Sequence, residues 1–251
     1  TLAPALASYI LSIPLFIHEQ NSIPGLVNRI LNRLSKLTFE AFPDSFNKSS
    51  KIHTVGNPVR SGIIKIPATE AKKKEHFNIL ILGGSQGSKQ LNEIVLKAFK
   101  DKIIPSYWRI VHQIGDLDKS SIVDTYSKQS FSYEVVSYIE DIGKAYHESD
   151  LVIGRSGAMT VSEICCSSKP SILFPLPWAA DNHQYFNAKF LEDKKASILL
   201  ESSLDSSDKL FTLLNDLEKD HNARHSMSLN AFDAFPVSSG NRIVEIINES
   251  F

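Results

Sequence analysis

Short apolar runs alternate with amphipathic segments along most of this 251-residue chain. Residues 78–95, NILILGGSQGSKQLNEIV, show the pattern clearly: an apolar run, a glycine-rich turn, and then apolar positions at helical spacing. Parallel strands need a crossover between them, usually a helix, so this alternation is typical of α/β proteins. We therefore predict parallel sheets covered by helices.

The pattern is most regular after residue 76, where it predicts one doubly wound sheet of about the size of a Rossmann domain. Strands are predicted at 77–82, 108–113, 134–138, 151–154, 171–176 and 197–200. Helices are predicted at 89–100, 142–147, 159–167, 182–192 and 207–219, and further helix follows. Pro236 interrupts the last helical pattern, so residues 241–250 are predicted to form a separate terminal helix.

The first part of the chain is less regular. Residues 1–17 are apolar, but they lack a positively charged start and fall short of the ~20 residues that a membrane span needs. A short helix and a strand at 14–18 are predicted instead. The apolar stripe at 26–34 predicts a helix, for which packing on the core is favoured over a basic face on a membrane.

A charged spacer without core residues, at 68–76, indicates a domain boundary. We predict a first unit at 1–60, a second at 61–235, and a C-terminal helix within 236–251. Apolar residues make up 42% and charged residues 22% of the chain, with a formal net charge of −1, so no basic surplus indicates nucleic acid. The neighbouring Cys165 and Cys166 lack CxxC spacing, which favours a reduced, cytosolic protein.

Three predicted strand-to-helix turns carry unusual residues at the sheet edge where ligands bind in parallel sheets. In the first, Gly83, Gly84 and Gly87 would let backbone N–H groups and the next helix N-terminus approach a diphosphate. The turn lacks the full dinucleotide fingerprint, because Leu82 stands where its first glycine belongs. A tight turn without a ligand therefore stays open as the alternative.

The second turn, RSGAMTVSE at 155–163, has two interpretations. Thr160 and Glu163 have the spacing of a capping box, which would stabilise the helix by about 1 kcal/mol. Alternatively, Gly157 opens space for a ligand and Glu163 accepts the hydroxyls of a ribose through charge-assisted hydrogen bonds. The residues alone favour neither interpretation.

The third turn, PLPWAADNHQYFNA at 175–188, places Gln184 in the first turn of a helix, where its amide could reach a polar ligand. Its aromatic residues are interpreted as core, and these are Trp178, Tyr185 and Phe186. Elsewhere, Asp116 and Asp118 have the D-x-D spacing of some metal-dependent glycosyltransferases. No third acidic or histidine ligand stands near them, and we predict no metal site.

Taken together, the motifs HEQNSIPGLVNR, GNPVR, GGSQG, RSGAMTVSE and DNHQYFNA resemble, in this order, the MurG family of peptidoglycan N-acetylglucosaminyltransferases. That family transfers N-acetylglucosamine from UDP-N-acetylglucosamine (UDP-GlcNAc) to lipid I, which gives lipid II. The resemblance implies a GT-B fold, with two Rossmann-like lobes across a cleft, the donor in the C-terminal lobe, and the 236–251 helix packing back on the N-terminal lobe. It also implies inversion at the sugar, without a metal or other cofactor.

By the same resemblance, Glu163 would bind the ribose, Ser85 the diphosphate, Ile139 the uracil through its backbone, and Gln184 with Asn21 the transferred sugar. The implied UDP-GlcNAc contacts are Asn21, Arg60, Ser85, Ile139, Ala158, Met159, Thr160, Val161, Ser162, Glu163 and Gln184, with the diphosphate loop at Gly83, Gly84 and Gly87. The family often has glutamine where His183 stands.

The family's glycine-rich G-G-T-G-G-H loop is absent from this sequence, so we expect the chain to lack about the first half of the acceptor lobe. His18 is a candidate general base, and a histidine satisfied by backbone is the alternative. The expected protein is either an active transferase or a nucleotide-sugar binding module without turnover. The family is peripheral on the cytoplasmic face of the bacterial membrane, and we expect the absent lobe to carry most of that contact.

Overall fold

The computed structural model describes residues 2–60, 62–63, 75–84, 87–235 and 239–251. In chain order the described strands are β1 Phe16–Glu19, β2 Leu37–Glu40, β3 Ile52–Thr54, β4 Phe77–Leu82, β5 Trp108–Gln113, β6 Ser132–Val136, β7 Leu151–Gly154, β8 Ser171–Leu173 and β9 Ser197–Leu199. The described α-helices are α1 Leu2–Ile10, α2 Leu26–Leu31, α3 Lys89–Phe99, α4 Ser120–Ser127, α5 Ile142–Glu148, α6 Ala158–Cys166, α7 His183–Asp193, α8 Ser206–Lys219, α9 His221–Ala234 and α10 Ser239–Glu249.

The larger sheet has the strand order β6-β5-β4-β7-β8-β9, and all of its described pairings are parallel. The chain order reverses between β4 and β7, which makes this position the topological switch point where ligands bind in open α/β sheets. Leu82 at the end of β4 pairs with Gly154 at the end of β7. The turns that follow these two strands therefore start side by side.

Strand β4 is buried on both faces because helices cover both sides of the sheet. Ile79 and Ile81 point into one core cluster, and Leu80 and Leu82 point into the other, as the period of two in a strand requires. Burial of each such side chain stabilises the fold by about 1.5–3 kcal/mol. The prediction of a doubly wound α/β sheet is confirmed.

The smaller sheet consists of β1, β2 and β3, again parallel, in the order β1-β2-β3. Its core includes Phe39 and Val55, and Ile246 of α10 packs against them. The chain end also contacts this sheet, because the rings of Phe251 and Phe16 lie 6.0 Å apart between centroids. The C-terminal helix therefore packs on the first sheet.

Residues after β2 connect the two sheets through apolar packing. Phe42 is fully buried in the core of the larger sheet, with its ring centroid 5.1 Å from that of Phe190 and 4.9 Å from that of Phe235. Ala41 lies in the same cluster. The segment after β2 is thus anchored in the core of the larger sheet.

Helix α4 is the main element that the sequence pattern does not predict. It begins at Ser120, and Asp118 Oδ1 accepts hydrogen bonds from the backbone N (3.0 Å) and the Oγ (2.7 Å) of that serine. The D-x-D segment therefore starts a helix. Among the described helices, none combines the length and apolar character needed to cross a bilayer.

Candidate functional site

An open pocket of about 270 Å³ lies at the switch point, between the ends of β4 and β7. All three turns selected in the sequence contribute to it. Its lining residues are Gly83, Gly84, Gly87, Ser88, Arg155, Gly157, Thr160, Leu176 and Gln184. Ser85, which the resemblance assigns to the diphosphate, lies outside the described residues.

The glycine turn forms one wall, and its geometry explains the residue type. Gly84 has φ of 82° and a Cβ there would meet no atom within 4 Å, so the backbone itself borders open space. Gly87 has φ of 76°, and a Cβ would lie 2.2 Å from the carbonyl oxygen of Ile114. Only glycine fits both demands at Gly87, because other residues rarely adopt this conformation.

Helix α6 presents its N-terminus to the pocket. It begins after Gly157, which has no side chain to cap it, and its first backbone hydrogen bond runs from Val161 N to Gly157 O, 3.0 Å. The N–H groups of the first turn therefore lack helical partners, and they carry the positive end of the helix dipole. This arrangement favours an anion in the pocket.

The capping-box interpretation of Thr160 and Glu163 is wrong. Gly157 is the N-cap of α6, so Thr160 lies inside the first turn and cannot serve as the cap. Glu163 instead accepts a hydrogen bond from the hydroxyl of Tyr146 at its Oε2, 3.1 Å away. The helix begins one turn earlier than the capping box requires because a glycine in extended conformation precedes it.

Arg155, the residue after β7, is 8% exposed and lines the pocket. It donates hydrogen bonds to residues of all the surrounding loops. The acceptors are Ser88 Oγ (2.8 Å), Gln90 Oε1 (3.1 Å), Phe174 O (3.0 Å), Pro175 O (3.2 Å) and Ser202 Oγ (2.5 Å). The guanidinium therefore fixes the start of α3 and the loops after β8 and β9 relative to one another.

These acceptors of Arg155 are neutral oxygens, and no described carboxylate lies within ion-pairing distance of it. Burial lowers the pKa of its guanidinium to about 10, so the group stays charged at neutral pH. A buried cation without a counter-ion strengthens the field that favours an anion. The role of Arg155 was not predicted from the sequence, although an arginine directly after a buried strand at the switch point is a usable signal.

Glu163 is not among the residues that line the pocket, but it lies one turn along α6 from Thr160, which is, and residues at this spacing share a helix face. Its Oε1 is 4.0 Å from Nε of Arg60, whose Nη1 donates to the hydroxyl of Tyr138 at 3.1 Å. Burial raises the pKa of Glu163 above its ordinary value, and the hydrogen bond from Tyr146 and the charge of Arg60 oppose that rise. The carboxylate is thus held from two sides.

Gln184 is fixed at the third wall. Its Oε1 accepts from Leu176 N at 3.0 Å, and its backbone oxygen accepts from Ser156 Oγ at 2.7 Å. Within the described part of the chain, its amide nitrogen has no partner. The interpretation of the neighbouring aromatic residues as core is wrong, because Trp178, Tyr185 and Phe186 are exposed by 82%, 38% and 41%.

Asn21 belongs to a contact between the two sheets and not to the pocket lining. Its Oδ1 accepts from Asn187 Nδ2 at 3.1 Å, and Asn187 lies one turn after Gln184 on α7. His18 Nε2 lies 3.0 Å from the carbonyl oxygen of Gly56. Because a carbonyl oxygen only accepts hydrogen bonds, Nε2 carries a proton, and in a neutral ring Nδ1 is then the nitrogen without a proton.

The side chains of the other expected contact residues are mostly buried or already hydrogen-bonded within the protein. Val161 and Ala158 are buried, and Ser162 Oγ accepts from Asn57 Nδ2 at 2.9 Å while donating to Ala158 O. Ile139 packs partly buried against the core. Met159 is half-buried. Within the ranges that the structure describes, no three His, Cys, Asp or Glu side chains are grouped to hold a metal ion.

The fold and the pocket together define a Rossmann-like lobe of the GT-B glycosyltransferase type, with an open pocket at its switch point. The chain belongs to glycosyltransferase family 28, since the model of the glycosyltransferase family 28 C-terminal domain matches residues 78–243. The matched range begins in β4 and ends in α10, so it includes the larger sheet and the helices that follow it.

Relatives and a solved structure support the narrower resemblance. A Coxiella burnetii protein is 40% identical over 230 residues, which cover 90% of this chain and 64% of the relative; its name is UDP-N-acetylglucosamine–N-acetylmuramyl-(pentapeptide) pyrophosphoryl-undecaprenol N-acetylglucosamine transferase. A Nitrosospira multiformis protein of the same name is 43% identical over 210 residues, covering 82% of this chain and 58% of the relative.

The crystal structure of Acinetobacter baumannii MurG is similar with a TM-score of 0.84 and 32% identity, covering 98% of this chain and 69% of that one. The resemblance to the MurG family that the motifs indicate is confirmed. The chain spans less than two thirds of the length of these curated relatives, 64% of the first and 58% of the second.

Proposed function

We propose that this chain forms the donor-binding part of an inverting, metal-independent glycosyltransferase that moves N-acetylglucosamine from UDP-GlcNAc to the C4 hydroxyl of lipid I. The product is lipid II, an intermediate of peptidoglycan synthesis. The observation that carries the proposal is the convergence of three turns on one pocket at the switch point, with Arg155, which no described carboxylate neutralises, in its wall. The names of the relatives supply the substrates.

In this function the pocket holds the diphosphate. The acceptor hydroxyl gives its proton to a general base as it attacks the anomeric carbon from the face opposite UDP, and the electron pair of the breaking bond leaves with the diphosphate of UDP. The α6 N-terminus and Arg155 stabilise that developing charge without reorganisation. Gly84 and Gly157 permit the phosphates to approach the backbone because neither carries a side chain.

Glu163 recognises the nucleoside part of the donor. Its carboxylate accepts hydrogen bonds from the ribose hydroxyls. Nε of Arg60 lies 4.0 Å from Oε1 of this carboxylate, on the side where the ribose binds. The backbone of Ile139, next to Tyr138, meets the uracil. Gln184 binds the transferred sugar through its amide nitrogen, which its hydrogen bond to Leu176 leaves available. Asn21 forms a hydrogen bond with the same sugar. Its loop is positioned by the hydrogen bond from Asn187 Nδ2 to Asn21 Oδ1.

The acceptor is lipid-linked, so we also propose that the protein is peripheral on the cytoplasmic face of the bacterial membrane. Exposed apolar side chains around α1 support this contact, and they include Leu6, Tyr9, Ile10, Leu11 and Ile13. Arg33 and Lys36 are exposed nearby and would face anionic lipid headgroups.

Calorimetry with UDP-GlcNAc, UDP, ADP and inorganic phosphate tests the donor proposal. We expect saturable binding of the two uridine ligands and at least tenfold weaker binding of ADP and phosphate. Equal affinity for all four would refute it. A transfer assay with radiolabelled UDP-GlcNAc and a soluble lipid I analogue then separates turnover from binding alone, because a binding module takes up the donor without forming product.

A further inference from the structure

Tyr146 contacts the proposed ribose-binding carboxylate from behind. It lies on α5 and is fully buried, and its hydroxyl is 3.1 Å from Glu163 Oε2. It is not among the residues that line the pocket. Because Tyr146 has no exposed surface, whereas Glu163 is 8% exposed, any effect of this hydroxyl on binding acts through Glu163.

The two oxygens of Glu163 have different surroundings. Oε2 faces the protein interior and accepts from Tyr146, whereas Oε1 faces Arg60, whose side chain is 58% exposed. A single hydrogen bond from a fixed, buried donor removes rotational freedom from a carboxylate. The orientation that results presents the remaining lone pairs of Glu163 toward the Arg60 side.

We propose that Tyr146 is a positioning residue for nucleotide recognition: its hydroxyl fixes the carboxylate of Glu163 so that the protein distinguishes ribose from 2′-deoxyribose. This inference rests on the proposed function, because it requires that Glu163 bind the ribose. It assigns the sugar discrimination to a buried pair and not to Glu163 alone.

The electrostatic surroundings agree with this role. Burial and the neighbouring Glu163 raise the pKa of Tyr146 far above its ordinary value, so the hydroxyl keeps its proton and donates it. The charged or titratable groups facing the pair are Arg60, on the side of Glu163, and the Cys165 thiol, beside Tyr146. Without the tyrosine hydroxyl, the carboxylate loses one of the two interactions that oppose the rise of its pKa.

The test is Tyr146→Phe, which keeps the buried ring and removes only the hydroxyl. Affinities for UDP and for 2′-deoxyuridine 5′-diphosphate are measured by calorimetry on the chain and its variant. We expect the wild type to prefer UDP by about tenfold or more, since the lost hydrogen bond is charge-assisted. In the variant, the ratio of the UDP affinity to the deoxy-UDP affinity should fall to about threefold or less. As the pH is lowered, the variant should also lose UDP affinity at a higher pH than the wild type does, because the pKa of Glu163 is higher without the tyrosine hydroxyl.

Tyr126→Phe is the matched control. Tyr126 is also fully buried in the larger sheet's core, and its hydroxyl lies 3.0 Å from His112 Nδ1, away from the pocket residues. This variant should lose thermal stability and keep the wild-type ratio. In a Glu163→Ala background, Tyr146→Phe should leave the ratio unchanged, because the group it positions is gone.

Each other outcome overturns a definite part. If Tyr146→Phe melts at a lower temperature and keeps the wild-type ratio, Tyr146 is only a core residue and the inference fails. If the wild type binds UDP without preferring it over the deoxy form, the ribose assignment of Glu163 and the inference fail together. If the wild type does not bind UDP, the proposed function itself fails.

Discussion

Arg155 Nε lies 2.8 Å from Oγ of Ser88, the residue that caps α3. The first residue after β7 thus holds the start of the helix that follows β4. These are the two strands between which the order of the sheet reverses. One side chain therefore locks both sides of the switch point while it places a positive charge in the pocket between them.

Removing that charge should weaken the binding of phosphate more than the binding of nucleoside. We expect Arg155→Met to lower UDP affinity by at least tenfold and uridine affinity by less than about threefold, because only UDP carries the diphosphate. The UDP affinity of Arg155→Lys should lie between that of the wild type and that of Arg155→Met, since lysine keeps the charge and loses the planar fork. Calorimetry with both ligands measures these changes.

Arg224→Met provides a control, since Arg224 is also 8% exposed but donates to Leu217 O and Glu218 O, away from the pocket residues. It should lower stability and keep the ratio of UDP to uridine affinity. If Arg155→Met lowers the affinities for UDP and for uridine equally, this arginine contributes only to the stability of the fold.

Gly157 should matter for binding and little for stability. Its φ is −61° and a Cβ there would meet nothing within 4 Å, so Gly157→Ala should change the free energy of unfolding by less than about 1 kcal/mol. The added methyl would occupy the pocket and lower UDP affinity. Gly87→Ala, in contrast, should unfold at a clearly lower temperature. Unchanged UDP affinity in Gly157→Ala would remove the α6 N-terminus from the site.

Glu163→Gln separates a ligand contact from a helix contact. The amide keeps the shape of the side chain and an oxygen for Tyr146, so we expect the melting temperature to stay within a few degrees. UDP affinity should fall about tenfold, because the charge that strengthens the ribose hydrogen bonds is gone. A large loss of stability with intact affinity would show that Glu163 serves only the packing of α6.

His112 should make stability depend on pH. It is fully buried, and burial lowers its pKa to about 3, whereas an unfolded histidine has a pKa of about 6.5. The unfolded chain therefore binds the extra proton, and stability falls as the pH drops below about 6.5. Between pH 7.5 and 5.5 we expect the loss of unfolding free energy to be about 1.4 kcal/mol smaller in His112→Gln than in the wild type.

Urea denaturation at both pH values measures this difference. His147→Gln is the control, because that side chain is exposed on α5, and it should behave as the wild type does. An identical pH dependence in His112→Gln and the wild type would contradict a neutral, buried imidazole held between Tyr126 and Asn92.

The regular part of the fold could be predicted closely from sequence. Strands β4 and β5 occupy the predicted ranges because their apolar runs are long and bounded by turns. Strand β8 was predicted to reach residue 176 and ends at Leu173, since Pro175 has no N–H and the carbonyls of Phe174 and Pro175 accept from Arg155. Helix α4 escaped prediction because only Ile122 and Tyr126 mark its buried face.

The convergence of the turns on one pocket could also be predicted, because a parallel sheet brings the turns after β4 and β7 to one edge. The roles of individual side chains could not. Arg155 and Tyr146 form hydrogen bonds with partners far away in the chain, such as Phe174 and Glu163, and local patterns carry no record of those contacts. The capping box failed because the T-x-x-E spacing does not reveal that the helix already begins after Gly157.

The most direct measurement is a titration of the ¹⁵N-labelled chain with UDP-GlcNAc, followed by the shifts of its backbone amide signals. We expect saturable shifts concentrated at the N–H groups of Gly84, Gly87, Ala158 and Thr160, and at the side-chain amide of Gln184. Saturable binding whose shifts cluster on another surface, or no binding at millimolar ligand, would contradict a single donor pocket at the switch point.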